Sequence, residues 1–412
     1  MNISTDIIKV PELLAPAGDL VRLKAAVDYG ADAVYLAGEE FGMRTAATNF
    51  GEEDLKAGIE YAHSHGVKVH ITCNTIPHNA EMSRLPAFLE MLDSLGADAI
   101  IASDIGTMGL IKKYAPHCEL HISVQSGICN YETAKAFYNF GAKRVVLARE
   151  LSLDEIAEIR AKTPSDLEIE AFAHGAMCVS FSARCLLSSY MTGRDANRGD
   201  CAQSCRWSYS LMEEKRPGQY FDITETDKGT YILNANDMCM AEHLDKMIAA
   251  GVDSIKLEGR AKSHYYTAVV TNAYRGALDS IKTNHFDWRC PDWVVEELNK
   301  ISHRTYSTGF YLGAPGNSQT YENAGYVRDY AVAAIVDGYE DGMIVATLKN
   351  KFLKGQVFDC LEPKSAPFEV VANELFDGKN NPIETAPHPM MTVKIPYHRP
   401  VKKCSLLRMK SE

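Results

Sequence analysis

The chain has no apolar run of the roughly 18 or more residues that a membrane-spanning helix needs. Its start, MNISTDIIKVPELL, has neither the basic residues nor the apolar core of a secretory signal. We therefore expect a cytoplasmic protein with no membrane partner. Thiols stay reduced in that compartment, so the eleven cysteines are not expected to build a disulfide framework. Gathered cysteines there point instead to metal binding or catalysis. GxGxxG and GxxxxGK[ST] are both missing, which removes the common nucleotide-binding loops. HExxH and GxSxG are missing too, which removes the usual zinc-protease and serine-hydrolase signatures. Positive charge is scarce: 43 Lys and Arg stand against 54 Asp and Glu, a net charge of -11. Broad, nonspecific nucleic-acid binding is thereby disfavoured, while a local basic patch stays open.

What is present is an alternation of short apolar runs with helix-spaced segments. PELLAPAG is followed by DLVRLKAAVDYG, and the unit recurs through ADAVYLAG, VKVHITCN, ADAIIASD, CELHISVQS, AKRVVLARE, LEIEAFAHG and VDSIKLEGR. Short continuous apolar strands are buried on both faces, as in a parallel sheet wrapped by helices. Eight of them predict an α/β protein, a TIM-like (β/α)8 barrel over residues 1–285, rather than an open doubly wound sheet. Residues 286–326 read as a helix and a Gly- and Tyr-rich link. Residues 327–412, with short runs and frequent turns, predict a small C-terminal antiparallel β-barrel.

Polar residues follow the predicted strands: Asn74, Asp104, Gln125, Arg149, Glu150, His174, Glu258 and Arg260. The C-terminal mouth of such a barrel carries the active site, and its last two strands often bind anions. Arg260 is suited to grip a carboxylate through its planar fork, with Glu258, Lys256 and Lys262 beside it. A local Glu258–Arg260 ion pair is the structural alternative.

A cysteine-rich insertion, residues 175–240, follows the seventh strand and holds Cys178, Cys185, Cys201, Cys205 and Cys239. The spacing is not CxxC. Four thiolates complete either a zinc site or an iron–sulfur cluster, and spacing does not separate the two. Packing alone suits Cys73, Cys118, Cys129, Cys290, Cys360 and Cys404. Arg184, Arg194, Arg198 and Arg206 lie among Asp195 and Asp200, and read either as phosphate contacts or as ion pairs within the loop. Trp207 is placed to stack on a base or to pack behind the thiols. RWSYSLMEE and QYFDITETDKGTYILN alternate as a hairpin would. His174 precedes Cys178, so a Cys–His nucleophile is the hydrolytic reading of the same segment.

The stretches PELLAPAGDLVRLKAAVDYGADAVYLAG, EAFAHGAMCVSFSARCLLSSYMTGRDANRGDCAQSCRWSY and NANDMCMAEHLDKMIAAGVDSIKLEGRAKS, with the closing β region, resemble the peptidase U32 family over nearly the whole chain. Despite the family name, several members are RNA-modification or quinone-hydroxylation proteins. The resemblance implies prephenate-dependent hydroxylation of the tRNA wobble uridine to 5-hydroxyuridine, without molecular oxygen. It also implies a 4Fe–4S cluster on Cys178, Cys185, Cys201 and Cys239, with Cys205 as the alternate ligand. tRNA and a small anionic co-substrate are the implied partners, and a second subunit of the same family is a further candidate. On this reading Arg260 and Lys262 hold the co-substrate's carboxylates, while Arg184, Arg194 and Arg198 hold tRNA. A collagenase-like peptidase, or hydroxylation of another RNA or a quinone, are the alternatives.

Overall fold

The computed structural model describes residues 9–43, 49–178, 180–207, 224–226, 229–231, 235–283, 287–313 and 330–410. Eight strands of the ten-stranded first sheet form a parallel barrel: β1 (Glu12–Pro16), β2 (Ala33–Leu36), β3 (Lys68–Cys73), β4 (Ala99–Ala102), β5 (Glu119–Ile122), β6 (Arg144–Val146), β7 (Glu168–Ala176) and β8 (Ser254–Leu257). Each pairs in parallel with its neighbour in sequence, and β8 pairs with both β7 and β1, which closes the barrel. These are the eight apolar runs of the sequence. Every residue of β2, β4 and β8 is buried, as expected of strands covered by side chains inside and helices outside. The helices between them start on side-chain caps: Asp19, Asp104, Asn130 and Ser152 each accept a backbone N–H from the first turn.

The barrel's interior is not uniformly apolar. Arg144 on β6 donates to Glu12 at 2.6 Å, to Glu168 at 2.6 Å and to Glu170 at 3.0 Å. Lys256 on β8 donates to the other Glu170 oxygen at 2.6 Å. Burial works against the Glu170 carboxylate, but Lys256 and then Arg144 outweigh it, so its carboxyl titrates below the usual range. Burial pulls the Lys256 ammonium below its ordinary value, with Glu170 pulling back. A complete ring of partners is what makes buried charge tolerable.

The insertion leaves from β7 and returns through a short strand, Asp237–Cys239, antiparallel to the end of β7 with Cys239 opposite His174. Of the predicted hairpin, Thr224–Thr226 and Gly229–Tyr231 pair antiparallel. The rest of that hairpin, like part of the Gly- and Tyr-rich link, lies outside the described residues.

The C-terminal region forms a seven-stranded antiparallel half-barrel, in the order Phe368–Val371, Val357–Leu361, Leu406–Lys410, Tyr330–Glu340, Met343–Leu348, Thr392–Pro396 and Phe376–Asp377. It has its own core around Phe358, Val393, Ile395 and Leu407. It is tied to the barrel by polar contacts. Arg408 makes a two-pronged bond to Glu297 on the helix Asp292–Asn299, at 2.6 and 3.0 Å, both side chains fully buried. The Tyr29 hydroxyl donates to the carbonyls of Leu361 and Cys404.

Candidate active site at the barrel mouth

A cavity of about 100 Å³ opens at the C-terminal ends of the strands. Five of the polar strand-end residues converge on it: Asn74, Gln125, Arg149, Glu258 and Arg260. Lys256 joins them, and Thr72 and Ser123 add hydroxyls. Tyr35 and Phe172 supply aromatic surface. The Lys256 ammonium lies 4.4 Å from the Tyr35 ring centre, and the Arg149 guanidinium 3.7 Å from that of Phe172. Arg149 also donates to the Ala176 carbonyl at 2.9 Å, and Arg260 to Thr72 Oγ1 at 2.8 Å. Three cationic side chains and one carboxylate thus line a small, aromatic-walled hollow, a setting for an organic anion.

Glycines let the strand ends come this close. A Cβ on Gly18 would meet the Arg260 carbonyl oxygen at 2.1 Å. Gly175 has φ +106, and a Cβ there would meet the Glu258 carbonyl at 2.5 Å. The glycines of LAPAG and AHG therefore seat the LEGR loop.

The remaining strand-end residues do other work. Asp104 caps the helix Ile105–Tyr114. Glu150 accepts from the backbone and hydroxyl of Ser182 at 2.7 and 2.8 Å, pinning the insertion at a residue with φ +44. His174, expected to act in chemistry, is not among the residues that line the cavity. It is buried among the rings of Tyr266, Tyr274 and Tyr306, with Nδ1 3.4 Å from the Tyr274 hydroxyl. Burial brings its pKa down to about 3, so it is neutral at ordinary pH. The hydrogen bonds described for His174 and Cys178 do not join them, since Cys178 Sγ meets Ser180 Oγ at 3.0 Å. Lys262 is also displaced from its expected place: it donates to the Ser302 carbonyl at 3.2 Å and does not line the cavity.

Within the insertion, Cys205 feels the charges of Cys178, Cys201 and Cys185, and burial, the larger influence, pushes its thiol up. Cys239 lies apart from them. Its influences are burial, which lifts it to about 11, the Ala241 backbone, Tyr274 and Glu242, with no cysteine among them. Cys205, and not Cys239, thus answers electrostatically to the other three thiols. Backbone N–H groups aim at two of these sulfurs, from Leu187 to Cys185 at 3.3 Å and from Gln203 to Cys201 at 3.4 Å. Asn197 holds the Cys185 backbone through both of its amide atoms. All are free thiols. Among the described residues no three metal-ligating groups converge closely enough to hold a metal ion in this conformation. In donor chemistry the four thiols fit a thiolate-ligated centre, and hydrogen bonds to sulfur are a feature of such centres. Of the six cysteines assigned to packing, Cys73, Cys118 and Cys360 are buried, while Cys129, Cys290 and Cys404 are partly exposed.

The arginines of the insertion divide. Arg194 pairs with Asp200 at 2.7 Å and Arg198 with Glu81 at 2.7 Å. Arg184 is exposed, as are Phe181, Tyr190 and Trp207.

The peptidase family U32 profile matches residues 18–321, and that of the peptidase family U32 C-terminal domain matches residues 328–408. The chain belongs to peptidase family U32. This U32 chain is 36% identical over 405 residues to the tRNA hydroxylation protein P1 of Bacillus subtilis, covering 98% of the chain and 95% of that protein. It is 38% identical to the 23S rRNA 5-hydroxycytidine C2501 synthase of Escherichia coli, over 74% of the chain and 45% of that protein. It is 34% identical to a collagenase of Porphyromonas gingivalis, over 73% of each. Sequence reasoning put Gln125, Arg149, Glu258 and Arg260 at the strand ends but did not single out Thr72 within β3, Ser123 or the aromatic wall of Tyr35 and Phe172. Their position in or just after the barrel strands was the available signal.

Proposed function

We propose that this chain hydroxylates a pyrimidine of an RNA, with the wobble uridine of tRNA as substrate and 5-hydroxyuridine as product. The observation that carries the reading is the 36% identity to a tRNA hydroxylation protein that runs through both the barrel and the C-terminal half-barrel. The absence of a Cys–His pair among the described contacts of His174 and Cys178 weighs against the hydrolytic alternative.

In this proposal Cys178, Cys185, Cys201 and Cys205 hold a 4Fe–4S cluster. When bound, the cluster supplies one-electron redox chemistry tuned by the hydrogen bonds to its sulfurs. Arg260 and Arg149, with Lys256 beneath them, bind the carboxylates of an anionic co-substrate, prephenate. Tyr35 and Phe172 face its apolar body and keep water from it. Arg184 and Trp207, exposed on the insertion, meet the RNA through phosphate contact and base stacking.

The test is nucleoside analysis of tRNA from a strain lacking the gene, complemented with wild type or Arg260→Ala. We expect 5-hydroxyuridine to vanish on deletion, to return with wild type, and to stay below about a tenth of that level with Arg260→Ala, a bidentate contact being worth roughly 1.5–3 kcal/mol. Iron per chain should not change in the variant. A deletion strain with unaltered tRNA would end the proposal, and full activity in Arg260→Ala would end the co-substrate assignment.

A further inference from the structure

Gln125 sits in the short turn Val124–Ser126 that follows β5, and its side chain is 2% exposed. It lines the cavity, yet neither its Oε1 nor its Nε2 has a hydrogen-bond partner among the described residues. A buried amide left unsatisfied is destabilising, so one that faces a cavity is paired there by water or by a ligand's polar group. The wall around it is neutral: Thr72, Asn74 and Ser123 carry hydroxyl or amide groups. The β8 end, three strands further round the barrel, brings Lys256, Glu258 and Arg260, and the neighbouring β6 end brings Arg149. Lys256 and Arg260 thus lie across the barrel from Gln125, with Glu258 beside them, and Tyr35 and Phe172 supply aromatic surface. On the measure by which one water needs about 10–15 Å³, its volume of about 100 Å³ suits a compact acid on the order of ten non-hydrogen atoms.

We propose that Gln125 is the specificity-determining residue of this pocket, selecting a small carboxylate that carries a hydroxyl or carbonyl at the end remote from its carboxylate. The cations take the carboxylate and the Gln125 amide pairs with the remote oxygen. An acid lacking that oxygen leaves the amide unpaired and binds more weakly. This deepens the reading of the pocket as the co-substrate's site, but it concerns binding alone and needs neither RNA nor turnover.

The experiment uses full-length protein purified without oxygen and titrated by calorimetry with 4-hydroxyphenylpyruvate and phenylpyruvate, acids that differ by one hydroxyl. Wild type should bind the hydroxylated acid about tenfold more tightly or better, and Gln125→Met should bind the two alike. Ligand-free Gln125→Met should melt at or above the wild-type temperature, because an apolar isostere removes two unsatisfied polar atoms. Equal binding by wild type, no binding of either acid, retained discrimination in Gln125→Met, or a lower melting temperature would each overturn the proposal. Discrimination that persists while tRNA is unaltered in the deletion strain would leave Gln125's role standing and remove only the RNA reading.

Discussion

At the residue scale, the cysteines and the histidine carry the sharpest consequences. Cys205 shares its surroundings with Cys178, Cys185 and Cys201, while Cys239 answers to Tyr274 and Glu242. Under the cluster proposal, Cys205→Ala should lose most of the protein's iron and acid-labile sulfide, and Cys239→Ala should keep both, measured per chain on anaerobic protein. The reverse result would restore the ligand set implied by family resemblance. His174 is held neutral, with its pKa lowered to about 3 from an ordinary 6.5. The unfolded chain therefore binds a proton there that the folded chain does not. Stability is unaffected above pH 6.5 and falls as pH drops from 6.5 toward 3, by up to about 1.4 kcal/mol per pH unit for this one group. Buried His70 and His121 are lowered well below their ordinary values as well and steepen the same slope. His174→Gln should flatten the pH dependence of urea unfolding by one proton, with the difference seen only below about pH 6.5.

At the element scale, strand ends and the loops beyond them decide the site. The LEGR loop after β8 rests against backbone at Gly18 and Gly175, where a methyl group has no room. Gly18→Ala should cost about 1–3 kcal/mol, read as a lower urea midpoint, and should weaken anion binding by shifting Arg260. Unchanged binding would mean that the loop is seated by other contacts. The eight strands and the helices between them were legible in the sequence because burial on both faces writes continuous apolar runs and Gly-ended helical periods. The roles of the residues after the strands were less so. Asp104, Gln125, Glu150 and His174 look equivalent as polar residues ending apolar runs. Asp104 became a cap through Thr107, three residues on, whereas Gln125, Glu150 and His174 became a cavity amide, an anchor for the insertion and a residue caged by tyrosines through contacts with elements distant in sequence.

At the scale of the whole molecule, two cores are joined through buried charge. Arg408 of the half-barrel and Glu297 of the barrel-side helix are both inaccessible and bonded at 2.6 and 3.0 Å. Removing Glu297 leaves the buried Arg408 with Asp359, at 2.9 Å, as its remaining carboxylate, and costs up to about 3–5 kcal/mol. Glu297→Ala should lower the melting temperature and expose the region between the two cores to limited proteolysis. Glu297→Met combined with Arg408→Leu should be much milder, since no charge remains to be desolvated. Equal damage from the single and double changes would assign the role to packing instead.

The amino-acid sequence by itself determined the eight-stranded barrel, the insertion after β7, the β-rich C-terminal region and the concentration of thiols, because these depend on local periodicity, turn chemistry and composition. Tertiary structure alone decided which side chains share a site. It set Arg149, Gln125 and Arg260 around one cavity, turned Lys262 toward Ser302 and enclosed His174 in tyrosines. The reason is physical: chain closure brings together residues more than a hundred positions apart, and no local pattern records which ends will meet.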